Sequence, residues 1–480
     1  MHSRLHRTLA AVLLSVCFPF SLAAQTGTNL TLTTAAAASG PAIPGDFLGL
    51  SFETADMLPR ADGRYPYFRE DNRNLIRLFR TLAVESLRLG GNTSDRPGVP
   101  VPGPRDIDEL FGFARAAGVQ VIYTLRLRNA MPQQDAPLAK YLMDHDAANI
   151  SCLVVGNEPN VYEKQYPRYR DDLSNFLKVI LAPGVAPNAK ICGPSTTPGH
   201  PDWSAQFVTD FGSTGHILWV TQHSYPGGNG KKVTDPGAQQ ARILTPAFAD
   251  RYQKLADQFV PAVDQAHLQY RIEETNSFYD GGAKDVSNTF ASSLWALNYL
   301  YWWAAHHAQG VNFHTGDSVA AGPVQTICWY GIFRSLPGGG YEIRPIAYAM
   351  KAFSLTARGR LVSISGLPSS QSIYGYALED ASSHKLRLVL IDAEHGPDAR
   401  PISVDLNPAT RYARAQSMLL SAPDGNIGAT NGVSLGGAAI AEDGTWHAKW
   451  SRLSLHHGHA VVILQPATAL LLTLSERDAK

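Results

Sequence analysis

Two glutamates stand where short apolar runs end. In Leu153-Val154-Val155-Gly156-Asn157-Glu158-Pro159-Asn160 an Asn-Glu pair follows a strand-like run, and Arg271-Ile272-Glu273-Glu274-Thr275-Asn276-Ser277 repeats the arrangement farther along. A strand this apolar ordinarily finishes on a turn residue, so a carboxylate in that place needs a reason. Hydrolysis of a glycosidic bond supplies one. It requires one carboxyl that holds a proton for the leaving oxygen and another that is ionised to meet an oxocarbenium-like centre. Glu158 and Glu274 are the candidates for those two tasks, and a separation of about 5–5.5 Å would imply retention through a covalent intermediate. Side chains alternate along a strand, so Glu273 and Glu274 are not expected to face inward together; Glu273 is expected to face the wall. Either glutamate taken alone fits an ordinary salt bridge as well.

The surrounding pattern says what must position these groups. From about residue 47 to 355, apolar runs alternate with amphipathic helical stretches. The runs are 47–53, 86–91, 119–125, 150–157, 189–193, 217–223, 270–274 and 311–314, and Leu75, Leu78, Phe79 and Leu82 show the helical spacing between two of them. About eight such units predict an α/β fold of the closed (β/α)8 TIM-barrel type rather than an open doubly wound sheet. The texture then changes. Short β-like segments at 372–378, 385–391, 401–406, 415–420, 459–464 and 469–474 predict an appended C-terminal antiparallel β-sandwich over 356–480. Residues 25–46 include the alternating stretch 29–33, which is expected to pair into that sandwich. The two parts are expected to pack rigidly, since no long low-complexity linker separates them.

In a barrel the chemistry gathers at the C-terminal strand ends. Besides the two glutamates, those ends carry Glu53, Asn92, Asp95, Arg126, Asn157, His223, Tyr225 and His314. Other chemistries find less support. Gly90-Gly91-Asn92 lacks a dinucleotide fingerprint, and no Gly-x-Ser-x-Gly elbow appears. His456-His457-Gly458-His459 lacks partners at metal-ligand spacing. Neither a metal nor a cofactor is expected.

The Asn-Glu-Pro triplet with a second strand-end glutamate resembles the clan of retaining glycosidases on (β/α)8 barrels. The stretch Glu274-Thr275-Asn276-Ser277-Phe278-Tyr279-Asp280-Gly281-Gly282 is similar to the nucleophile region of glycoside hydrolase family 79, the β-glucuronidases and heparanases. Leu87-Arg88-Leu89-Gly90-Gly91-Asn92, His223-Ser224-Tyr225 and the β-rich C-terminal part fit the same family. The resemblance implies Glu158 as acid/base, Glu274 as nucleophile, Asn157 on the sugar 2-hydroxyl, and Tyr225 on the nucleophile. Glu53 and Asp95 are candidates for gripping sugar hydroxyls or, equally, for salt bridges with Arg88 or Arg126. Tyr279 and Tyr330, with Gly331 beside the latter, are candidates for the glucuronate carboxylate, a core role being the competing reading of Tyr330. A tyrosine hydroxyl donates without adding a full charge beside the acid/base.

The implied partner is a glucuronic-acid-containing oligo- or polysaccharide, cut either at a terminal residue or internally as by heparanases. The resemblance leaves that choice open: the short stretch 96–105 favours a cleft, whereas the few basic candidates, Lys231, Lys232, Arg126 and Arg128, make no tract for a sulfated chain. A carbohydrate-binding protein without catalysis is the reading from another class, and the presence of both glutamates argues against it. With 41 Lys+Arg against 41 Asp+Glu and no basic block, nucleic-acid binding is not expected.

Arg4 and Arg7, the apolar run 9–20 and the small residues Ser21, Ala23 and Ala24 have the layout of a secretory signal peptide over 1–24. A secreted or periplasmic monomer without a membrane anchor is therefore expected. Leu14-Ser15-Val16-Cys17 resembles a lipoprotein box, but Val16 stands where a small residue belongs. Beyond Cys17 remain Cys152, Cys192 and Cys328, so at most one disulfide can form. Buried free thiols are the favoured reading.

Overall fold

A computed structural model describes residues 29–321 and 324–476; the leader reading of 1–24 lies outside them. The first strand, β1 (Asn29–Thr34), precedes the barrel. Eight parallel strands then close on themselves: β2 (Leu48–Glu53), β3 (Ser86–Gly90), β4 (Gln120–Leu125), β5 (Ile150–Val155), β6 (Ile191–Thr196), β7 (Ile217–Ser224), β8 (Tyr270–Thr275) and β9 (Val311–His314). Closure is made by β2 pairing with β9, Leu48 opposite Val311 and Ser51 opposite His314. Most strand positions are buried because one face meets the helices and the other the barrel interior, which is why the runs read as apolar rather than alternating.

Helices cover the outside. Arg73–Leu82 begins where the Asn72 side chain accepts from the Leu75 amide and stops at Ala83 in the left-handed region. It buries Leu75, Ile76, Leu78, Phe79 and Leu82. Inside the barrel, Ile122, Cys152, Val154, Cys192 and Trp219 form a separate small cluster. Cys152 and Cys192 are joined there in a disulfide between neighbouring strands, with Cα atoms 5.9 Å apart. This corrects the free-thiol reading for those two: β5 and β6 pair with Val154 opposite Cys192, which brings both sulfurs to the same interior layer. Cys328 is free and buried.

After the barrel two hairpins follow, β10 (Ser318–Ala321) with β11 (Val324–Ile327) and β12 (Phe333–Ser335) with β13 (Tyr341–Ile343). The sequence reading assigned no elements there. The remaining strands form two sheets. A four-stranded one contains β1, which pairs in parallel with Ile402–Asn407 and antiparallel with Ile364–Ser365. The larger one is built around Ile373–Asp380, Lys385–Asp392, Thr468–Ser475 and Arg414–Ser421. Ile402–Asn407 alternates buried and half-buried as expected, but Lys385–Asp392 does not. Its Leu386, Leu388 and Leu390 pack into the sandwich core, while Val389 and Ile391 join the barrel's own core. One sheet thus serves two cores, and the helix Phe290–Ala305 is buried almost all round within the barrel's own core.

Candidate active site

The C-terminal ends of the barrel strands converge on a cavity of about 630 Å³ lined by Glu53, Glu158, Tyr225, Glu274, Tyr279 and Tyr330, among others. Glu158 reaches it through an unusual turn. After Gly156 the chain turns sharply, and Glu158 itself sits at φ 47°, ψ 53°, a left-handed conformation that a non-glycine residue rarely holds. Its backbone amide donates to Ser195 O at 2.9 Å, which pins the turn to β6. Its Oε1 lies 2.9 Å from Nδ1 of His223, and its side chain keeps 16% exposure, so the carboxyl is held yet reachable.

Glu274 is fixed more completely. Arg88 Nη1 donates to its Oε2, and the Tyr225 hydroxyl donates to its Oε1 at 2.8 Å. His223 Nδ1 stands 3.8 Å from Oε1 and His314 Nδ1 4.0 Å from Oε2. Burial alone would raise this carboxyl, but His314, His223, Arg88 and the Tyr225 hydrogen bond outweigh it and hold Glu274 well below the usual carboxylate range. The other guanidinium nitrogen, Arg88 Nη2, donates to Asn157 Oδ1 at 2.7 Å, so one buried arginine orients residues on β8 and after β5 together. Gly90 permits this: a Cβ there would lie 2.4 Å from Arg88 Cζ.

The placement of the other candidates is mixed. Tyr279 and Tyr330 both line the cavity, flanking Tyr225 with ring centroids 6.3 and 6.2 Å away. Gly331 does not: its amide points to Cys328 O, and carbonyls of Phe333, Gly316 and Cys328 crowd the place of a Cβ. Glu53 borders the cavity, but its Oε2 accepts from the amide and hydroxyl of Thr93 and its Oε1 from the Ala320 amide, tying β10 to the barrel mouth. Gly91 makes room for it, since a Cβ would lie 2.5 Å from Glu53 Oε2. Asp95 accepts four hydrogen bonds, from the amides of Leu127, Arg128 and Asn157 and the hydroxyl of Tyr162. Neither acid pairs with Arg88 or Arg126, which corrects the salt-bridge reading. Arg126 instead donates to Ser94 O and Val99 O. A second cavity of about 520 Å³ adjoins the first on the far side of Glu158, lined by Asp95, Arg96, Arg128, Asn157 and Tyr162.

Glu273 departs from expectation. The β7–β8 register shifts, with Gln222 opposite Ile272 but His223 opposite Glu274, so β8 carries an extra residue at this point. A bulge re-aims side chains, and here both glutamates turn inward. Glu273 is fully buried, accepts from Ser195 Oγ, and lies 3.7 Å from His223 Nε2. The sequence places His223 at a strand end without giving it a role, and it gives Arg88 no role in the site beyond a possible salt bridge. A cation in the middle of the buried run Ser86-Leu87-Arg88-Leu89-Gly90 was the available signal.

Oxygens of Glu158 and Glu274 and a ring nitrogen of His223 all lie within 4.8 Å of one another. Such a trio invites comparison with a metal site. Both Glu274 oxygens are engaged by Arg88 and Tyr225, and His223 Nδ1 by Glu158, so the donors are spent on one another. Chemically the arrangement suits a carboxylate pair better than a cation.

No family model matches the chain. Among curated proteins it is similar to heparanase of Bos taurus, 26% identical over 208 residues, 40% of this chain and 37% of that one. It is also 30% identical over 101 residues to a β-glucuronidase of Neurospora crassa, 21% of this chain and 18% of that one. The matches therefore span well under half the length of those relatives. Among solved structures, a 4-O-α-L-rhamnosyl-β-D-glucuronidase from Fusarium oxysporum 12S superposes with a TM-score of 0.69 at 16% identity, covering 92% of this chain and all of that one. A GH51 arabinofuranosidase from Xanthomonas axonopodis pv. citri gives 0.63 at 13% identity, covering 93% and 100%. These likenesses establish the fold, a TIM barrel with a C-terminal sandwich.

Proposed function

We propose that the chain is a retaining β-glucuronidase of the family 79 type, with Glu274 as nucleophile and Glu158 as acid/base. The observation that carries this reading is the pair itself: two carboxylates with oxygens within 4.8 Å across one cavity, in opposite surroundings. That spacing is nearer the about 5–5.5 Å of a retaining pair than the about 6.5–9.5 Å of an inverting one, which supports a double displacement. Arg88 and Tyr225 keep Glu274 ionised for attack, whereas Glu158 sits on a histidine at the cavity edge, where a proton can be given and taken back.

In the first step a Glu274 oxygen bonds to the anomeric carbon. The glycosidic bond breaks with its electron pair on the leaving oxygen, which takes the Glu158 proton. Water then attacks that carbon, returns a proton to Glu158 and frees Glu274. In this reading Asn157, held by Arg88, meets the 2-hydroxyl, and Tyr279 and Tyr330 meet the glucuronate carboxylate. Export from the cytoplasm and action as a monomer belong to the same proposal. The adjoining cavity with Arg96 and Arg128 favours a second reading, internal cleavage of an acidic polysaccharide, because a chain can continue past Glu158 there.

Aglycone release from matched aryl β-glucuronide, β-glucoside and β-xyloside tests the first reading. Wild type is expected to cleave the glucuronide, and Glu158→Ala and Glu274→Ala to lose that activity. Preference for a neutral sugar would contradict the proposed substrate. Silence on all three with fragmentation of heparan sulfate would favour the second reading.

A further inference from the structure

We propose that Glu273 is a positioning residue for this reaction, a third carboxylate that acts through His223 by fixing where the proton lies between that imidazole and Glu158. The inference rests on the glycosidase reading of Glu158 and Glu274, and begins from the bulge in β8. Arg271 lies over the interior Trp219 and Ile272 packs in the outer core, so alternation puts Glu273 on the inner face, where a carboxylate costs desolvation without a partner. The register shift then brings Glu274 to the same side, one layer above Glu273. Glu273 is fully buried, with Ser195 Oγ on Oε1 and no hydrogen-bond partner on Oε2.

The imidazole of His223 is the group that joins the two layers. It is fully buried, its Nδ1 faces Glu158 Oε1 at 2.9 Å, and its Nε2 faces Glu273 Oε1 at 3.7 Å with no other partner. Glu158 and His223 can share one proton in two ways of equal charge. Either an imidazolium faces a carboxylate, or a neutral ring accepts from the carboxylic acid through Nδ1. In the second state the remaining ring proton must sit on Nε2, and an anion beneath Nε2 selects that tautomer, as a buried carboxylate does for a catalytic histidine elsewhere. When Glu158 gives its proton to the leaving oxygen, His223 keeps Nε2–H toward Glu273, and Nδ1 is free to accept again once water reprotonates Glu158.

The other charges around the ring are accounted for. Glu274 faces Nδ1 at 3.8 Å from β8, while Arg88 from β3 and Arg271 from the layer below act on Glu273. Tyr225 and His314 both contact Glu274, the carboxylate beside Nδ1. Burial pulls His223 down, but Glu274, Glu158 and Glu273 together push it up to about 9. Removing the anion beneath should make the Glu158–His223 pair release its shared proton at lower pH.

The test is Glu273→Gln in the full chain, with two readouts. The alkaline limb of kcat/KM on an aryl β-glucuronide is expected to move acidward by about one pH unit or more, with activity at lower pH retained within about tenfold. The ¹⁵N shifts of His223, identified by their loss in His223→Gln, are expected to titrate lower by a similar amount. A purely structural role would lower activity at every pH and leave both titrations in place, and that result overturns the proposal. If Glu273→Gln does not fold, wild type decides: a His223 ring that is neutral at pH 7 with its proton on Nδ1 contradicts the assignment. The nitrogen shifts do not depend on turnover, so a wrong substrate and a wrong role for Glu273 give different results.

Discussion

The barrel holds two fully buried arginines, one near its mouth and one near its floor, and they do different work. Arg88 spends its donors on side chains: Glu274, Asn157 and Ser51. Arg271 reaches the backbone carbonyls of Asp46, Phe47 and Gln309 as well as the side chains of Asn312 and Asp46, and lies over the Trp219 ring at 4.9 Å. Burial disfavours both cations. At the mouth Glu274 and Glu273 more than offset it, so Arg88 is raised. At the floor the half-exposed Asp46 does not, and Arg271 is pushed down to about 10. The same residue type therefore orients two catalytic candidates in one layer and closes the end of the fold in another.

Substitutions can break that comparison. The largest effect is expected at the group Arg88 serves: Glu274→Ala should lower kcat by roughly 10⁴-fold or more without unfolding the chain. Arg88→Met should cost about 10²–10³-fold in kcat, since it frees Glu274 and Asn157 from one another. Arg271→Met should instead lower stability by ~3 kcal/mol, stranding Asp46 and buried carbonyls, while the folded fraction keeps its kcat. Equal losses of activity at equal stability would erase the distinction.

A pH series sharpens it further. Glu274 has a folded-state value below its ordinary 4.5. Its contribution to stability is thus full above that ordinary value and is lost as pH falls through the folded one. The acid limb of activity is expected below pH 4.5 in wild type and to rise toward the ordinary glutamate range in Arg88→Met, read from kcat/KM profiles. The smallest effect belongs to the cavity rim. Tyr279→Phe should raise KM for a glucuronide several-fold, about 1 kcal/mol, and leave a glucoside unaffected.

Much of this was legible from residue order. The eight strand runs, Glu158, Glu274 and Tyr225 are all local signals: apolar runs bounded by polar ends, at a spacing that one fold explains. What escaped depended on contacts distant in sequence. Arg88 lies 186 residues from Glu274, so its partner could not be read from its neighbours. Glu273 was read by strict alternation, and a bulge set by pairing with β7 defeats that rule. The Cys152–Cys192 bridge needs the β5–β6 register, and the loop-anchoring contacts of Asp95 and Glu53 go largely to backbone amides, which a sequence does not display. The hairpins after β9 are three or four residues per strand, too short for a periodic signal.

The central claim is that Glu274 attacks the anomeric carbon of a β-glucuronide. An activated 2-deoxy-2-fluoro β-glucuronide should accumulate as a covalent adduct, and peptide mass analysis should place the added mass on Glu274. An adduct on Glu273 or Glu158, or turnover with inversion and no adduct, would contradict the account.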